Sequence, residues 1–168
     1  MRKFRFILIY VLLFCSFTFF ACEDATTLNC ASISEITQAG SENYGVKVNF
    51  YNDSRLKGKG VDVQVKFSKL GDITIWEENH DRGIYTIDEI DEWQSMTSII
   101  ALLNNSEGQE KFMKFEQASA KTYLFNFDKS IEITMRVVVG DIEDNIENNG
   151  EILVGSEPIS KQFTLKIK

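Results

Sequence analysis

His80, in the segment WEENHDRG, is the only histidine among the 168 residues, and most catalytic options of this chain converge on it. A Ser-His-Asp triad, or any base working near neutral pH through an ordinary side chain, would have to use it. A zinc site of the HExxH kind needs two histidines and is excluded, and no GxSxG elbow, CxxC pair or GxxxxGK[ST] loop occurs. Glu77, Glu78, His80 and Asp81 could ligate a metal, but four polar residues around a tight turn are more often simply solvated. The neighbours Asn79, Asp81, Arg82 and Gly83 are turn formers, which hold an imidazole in water rather than in a dry pocket. No catalytic residue, metal or cofactor is therefore expected.

Three other stretches carry charge in a suggestive pattern. DIEDNIENNGE, Asp141 to Glu151, superficially resembles a calcium loop. With Gly150 at the sixth position, the twelfth residue is Ser156, where an EF-hand needs glutamate, so the register fails. Asp141, Glu143 and Asp144 could still hold calcium weakly; an acidic hairpin loop is the favoured reading. RLKGKG, Arg55 to Gly60, offers three cations and two glycines to an anion, but more often forms a turn whose lysines guard a sheet edge. Asp88, Glu89, Asp91 and Glu92 supply carboxylate pairs of the glycosidase kind, which would need a cleft the sequence does not reveal.

The third functional group is a thiol. MRKFR opens the chain, Phe6 to Phe20 follows without a charge, and Ala21 precedes Cys22. About 20 apolar residues are needed to cross a bilayer as a helix, so fifteen fit a signal-peptide core better than a permanent span. The order of basic start, apolar run, small residue and cysteine resembles the lipobox of bacterial lipoprotein signal peptides. An ordinary secretory signal and an uncleaved anchor are the alternatives. The resemblance implies cleavage before Cys22, a diacylglyceryl thioether on its sulfur and an acylated amine. Two or more chains hold firmly, at about 0.8 kcal/mol per buried methylene. Cys15 would leave with the leader, so Cys30 would keep no intramolecular partner and is read as a bystander. Glu23 and Asp24 resemble the surface-export signal of Bacteroidota lipoproteins, which implies a cell-envelope location at the outer membrane, on its outer surface or its periplasmic side.

Loss of residues 1–21 removes three basic and no acidic side chains and moves the net charge from −7 to −10. Such a field repels polyanions, and no basic stripe is present to neutralise phosphates, so nucleic acid is excluded as a partner.

The elements that must position these groups are strands. From Cys22 to Asn43 the chain lacks aromatics and a sustained period, so residues 22–43 read as a tether, with a strand possible at Ile33–Ile36. Beyond it the period is two. VDVQVKF sets Val61, Val63, Val65 and Phe67 against Asp62, Gln64 and Lys66, which are expected on a wet face. VKVNF, YLFNF, IEITMRV and FTLKI repeat the pattern, with turn residues between them. TIDEIDEWQSMTSIIALL predicts a helical turn over Asp88–Gln94, capped by Thr86 with Glu89, and then a strand over Met96–Leu103 pairing with Lys111–Glu116.

The expectation for 44–168 is one all-β domain: an antiparallel immunoglobulin-like β-sandwich of seven to nine strands, with a lipocalin-like β-barrel as the alternative. VNFYND (Val48–Asp53) and IIALLNN (Ile99–Asn105), behind CED, are similar to small Bacteroidota lipoproteins of unknown function with β-sandwich domains, a resemblance that implies no catalytic residues. The leading functional expectation is a non-enzymatic, lipid-anchored module that binds an envelope protein or glycan, with Trp76, Tyr85 and Trp93 as its contact residues. A carrier of an apolar ligand comes second and a hydrolase built around His80 third.

Overall fold

A computed structural model describes residues 30–36, 43–78, 80–147 and 149–168. The apolar leader, Cys22 and most of the expected tether lie outside them. Among the described residues, eleven strands, all paired antiparallel, build two sheets. The first holds β1 (Ala31–Ile36), β2 (Tyr44–Phe50), β8 (Ser119–Asn126), β4 (Gly71–Glu77) and β5 (Gly83–Ile87), side by side in that order. The second runs β10 (Glu151–Pro158), β9 (Ile131–Asp144), β3 (Gly60–Phe67) and the two-residue β6 (Gln94–Ser95). β7 (Met113–Lys114) also pairs with β3, and β11 (Phe163–Ile167) with β9. Nine of these strands have five residues or more, so the all-β sandwich forms as expected. The backbone pairs into two sheets instead of one closed cylinder, so the lipocalin-like barrel does not form.

The period of two decides the core. Val46, Val48, Phe50, Ile73, Ile75, Tyr123 and Phe125 face inward from the first sheet. They meet Val61, Val63, Val65, Phe67, Ile133, Met135, Val137 and Leu165 from the second, and all are buried. Full burial of each large side chain stabilises by about 1.5–3 kcal/mol.

Three expectations are corrected. Part of the expected tether is a strand, which takes up the one held possible at Ile33–Ile36 and starts earlier: Ala31–Ile36 pairs along its whole length with Phe50–Gly45. Cys30, just before it, is buried, its N–H donates to Ile159 O and its Sγ donates to Asp53 Oδ2 at 3.1 Å. Burial, and then the Asp53 carboxylate, push the Cys30 thiol pKa up, so this is an inert packed sulfur and not a bystander in a linker.

Met96–Leu103 is a helix, α1, and the expected helical turn at Asp88–Gln94 gives way to bends and β6. Ser95 is the N-cap of α1, its Oγ accepting from Ser98 N at 3.1 Å, while Thr86, expected to cap the turn, lies in β5 with its hydroxyl donating to Asp72 Oδ1 at 2.7 Å. Met96, Ile99, Ile100 and Leu103 recur at i, i+3, i+4 and i+7, and all four pack on the core. That face outweighs the strand preference of the adjoining β-branched residues. The strand expected at Lys111–Glu116 shrinks to β7 and pairs with β3 instead of with Met96–Leu103.

The third correction concerns the second sheet's outer face, which is wet only in part. Register places Gly60 opposite Gly140, Asp62 opposite Val138 and Gln64 opposite Arg136. Around Gly60 and Gly140 the β9–β10 hairpin curls back over the sheet, and on the same face Val138 and Asp62 are buried, Asp62 with Ser95 and Thr97 at its carboxyl. The two glycines make room for it. A Cβ on Gly60 would fall 2.5 Å from Leu153 Cδ1, and one on Gly140 only 2.6 Å from the backbone oxygen of Val154. A bulge at Val154–Glu157, with Gly155 at φ +61°, bends β10 in the same place. Gly140→Ala is therefore expected to cost about 1–3 kcal/mol, as an overpacked site whose obstacle is main chain. Denaturant midpoints of the two proteins check this.

Candidate functional site

The curl leaves a cleft of about 520 Å³ on the outer face of the second sheet. Asp62, Gln64, Ser95 and Ser98 form its floor side, with Glu107, Glu110, Phe112, Glu151 and Leu153 among the residues opposite. Asp62 is 3% exposed. Its Oδ1 accepts from Thr97 Oγ1 at 2.9 Å and from Thr97 N at 3.3 Å, and the Ser95 hydroxyl also donates to the carboxyl. Thr97 N is one of the unpaired amides of the first turn of α1, so the carboxylate sits at the positive end of that helix. Burial still dominates and pushes the Asp62 pKa up to about 6, against the lowering effect of those hydrogen bonds.

Of the three other cleft carboxylates, Glu151 and Glu110 are held by their own neighbours. Glu151 accepts from Phe112 N at 2.8 Å and pairs with Lys111 at 3.6 Å, and Glu110 accepts from Gly108 N. Among the described residues, no group of three or more His, Cys, Asp or Glu side chains is placed to hold a metal ion.

Beside the cleft, past Gln64, the same face carries a basic and aromatic cluster. Arg136 donates from Nε to Gln64 Oε1 at 2.8 Å, and its guanidinium lies 4.0 Å from the centre of the Trp93 ring. Lys66 Nζ lies 4.8 Å from the same centre. All four side chains belong to half-buried residues. Cation–π contacts of this kind stabilise by roughly 0.5–2 kcal/mol. The cluster exists because Gln64 and Arg136 are paired residues of β3 and β9 while Trp93 immediately precedes β6, which is paired to β3 at Gln64 and Val65.

The three expected contact aromatics are not assembled into one patch. Trp76 is buried at 7% exposure on the outer face of the first sheet, opposite Leu124, with Arg82 stacked 4.5 Å above its ring. Tyr85 turns inward against Phe67, its hydroxyl donating to Gln94 Oε1 at 2.8 Å. Only Trp93 belongs to the outer face of the second sheet.

His80 is exposed after β4, and its imidazole makes no hydrogen bond or ion pair among the described residues. Glu77 is engaged elsewhere, with Lys121 at 3.1 Å. In the acidic stretch, Asp141, Glu143 and Asp144 end β9, and Asp141 is paired with Lys59. In RLKGKG, Arg55 is locked on Asp53, whose pKa it lowers strongly. A second groove of about 480 Å³ lies at the Ser130 end of the sandwich, where Lys69 is bonded to Ser130 and Lys166 is paired with Glu132, with Lys168 also in its lining.

Sequence reading missed Asp62 and Arg136. The available signal was the unbroken run Val137–Val139: apolar residues on both faces of β9 mean that its outer face is covered there, and Asp62 is the residue across from Val138. No protein-family model matches the chain, and a search of curated proteins returns no match.

Proposed function

We propose that the protein is a non-enzymatic, lipid-anchored module of the cell envelope that works by contact, through the outer face of its second sheet, with an envelope glycan or protein. One observation supports this above the others. Of the four Lys and Arg residues that are half-buried among the described residues, Lys59 and Lys121 each have a carboxylate partner, while Lys66 and Arg136 have none. Two adjacent, partly desolvated cations without a counter-charge, in a chain of strongly negative net charge, form a surface awaiting an external partner. The solvent-facing His80, whose imidazole no second group among the described residues fixes, argues against hydrolysis.

Two variants test the reading. His80→Ala should leave the biological role intact in a complementation assay; complete loss, in a protein that still folds and stays anchored, would revive the hydrolase. Cys22→Ser should move the protein from the detergent phase to the aqueous phase on phase partitioning, with an unchanged circular dichroism spectrum. A variant that stays membrane-bound would mean that Phe6–Phe20 is a retained helix.

A further inference from the structure

We infer that Arg136, Lys66, Gln64 and Trp93 form a receptor for the carboxylate of a uronate-bearing saccharide, an inference that rests on the outer-face reading above. Arg136 is held in place on two sides: Nε is spent on Gln64 Oε1, and the guanidinium plane is stacked near Trp93. Its two terminal nitrogens make no hydrogen bond or ion pair with the described residues. A guanidinium fixed in that way presents its outer donors to a planar oxyanion, and a carboxylate matches them. Lys66, on the next outward position of β3 and gathered around the same indole, adds a second positive charge without a carboxylate partner among the described residues. Burial works against the charge on Arg136, so a bound carboxylate would relieve a cost that the free protein carries.

The surroundings favour a saccharide over a protein partner. On this face the next residues are Thr134 and Thr164, whose hydroxyls are 3.3 Å apart, and then the exposed pair Glu132 and Lys166. Beyond Trp93, these neighbours carry hydroxyls and charges where a protein interface would want an apolar centre. A uronate brings ring hydroxyls for Gln64 and the threonines, and one carboxylate for the two cations. The negative field of the whole chain restricts the recognition to this spot, since long-range attraction of a polyanion is absent.

The test is titration calorimetry of the full chain, in detergent, with a galacturonate oligosaccharide, its neutral methyl ester and a glutamate-rich peptide. The inference expects binding of the oligosaccharide alone, and a loss of roughly tenfold or more in affinity for Arg136→Gln and for Lys66→Gln. Arg136→Lys, which keeps the charge but not the fork of donors, should fall in between. Thermal melts of the variants separate loss of the site from loss of the fold. No binding of the oligosaccharide, equal binding of the ester, or binding indifferent to all three substitutions overturns the inference. Equal binding of the acidic peptide overturns the saccharide as the ligand class. If the oligosaccharide fails while native envelope material is still held through Arg136 and Trp93, the ligand class is wrong and the contact reading stands. If envelope material is held equally by variants at those two positions, the contact reading itself has failed.

Discussion

Replacing Asp62 with Asn is expected to abolish a pH dependence of stability amounting to about 3 kcal/mol. In the folded protein burial raises the Asp62 pKa to about 6, while in the unfolded chain it returns to the ordinary carboxylate value of about 3.9. Between those values the folded state binds the proton and the unfolded state has released it. Stability from this group is therefore fully present below pH ~4 and is lost as pH rises through ~6. The two values lie about two pH units apart, and each unit corresponds to about 1.36 kcal/mol, which sets the magnitude. An amide at this position cannot titrate, so the stability of Asp62→Asn minus that of the parent should increase by about 3 kcal/mol from pH ~3.5 to pH ~7.5. Taking the difference cancels Glu107, Glu110 and Glu151, the other acids around the cleft, which both proteins share. Urea unfolding across that pH range measures it. A difference that stays flat would mean that the helix terminus and the Ser95 and Thr97 hydrogen bonds compensate burial completely.

Phe125→Ala is expected to cost about 3–5 kcal/mol. Phe125 is fully buried in β8, the central strand of the first sheet, between Ile75 and Tyr44 in the pairing register. Its ring faces the second sheet, in a core closed by the neighbouring side chains of both layers. Ile84→Ala, at 69% exposure on β5, is the matching control and should stay within about 0.5 kcal/mol. Equal losses at both positions would mean that the outer face of the first sheet is also covered and that the sandwich is part of a thicker assembly.

The sandwich is legible in the sequence because its signal is repeated in every strand. Val61 to Phe67, Ile131 to Val137 and Phe163 to Ile167 each state the same alternation, and a single local ambiguity cannot overturn it. Met96–Leu103 misleads for the opposite reason. Two adjoining β-branched residues speak for a strand, and the spacing of Met96, Ile99, Ile100 and Leu103 prevails only where a core exists to receive them. Ala31–Ile36 lacks aromatics and has no strong face, so its local signal allows a strand over Ile33–Ile36 without setting it clearly apart from a linker; its pairing with β2 makes it a strand.

The site is harder still to read. Asp62 looks like any outward residue of an amphipathic strand, because alternation reports which face a side chain takes but not what covers that face. The cover comes from residues far along the chain: Ser95 and Thr97 bond the carboxyl, and the β9–β10 hairpin, admitted by Gly60 and Gly140, curls over the same face. Arg136 and Lys66 are equally ordinary as polar positions of two strands. Their significance lies in the register that brings Gln64 and Arg136 face to face beside Trp93, and in the missing carboxylate. Of the aromatics singled out in the sequence, Trp93 alone joins that arrangement, since Trp76 is buried and covered by Arg82 while Tyr85 contributes to the core.

The most direct measurement of the proposed role is a pull-down from native envelope with the full chain as bait, comparing the parent with Arg136→Gln, Trp93→Ala and His80→Ala at equal abundance. The contact reading predicts that the parent and His80→Ala retain the same envelope component, and that Arg136→Gln and Trp93→Ala lose it while melting at the parent temperature. Retention by both outer-face variants, together with loss in His80→Ala, would contradict it.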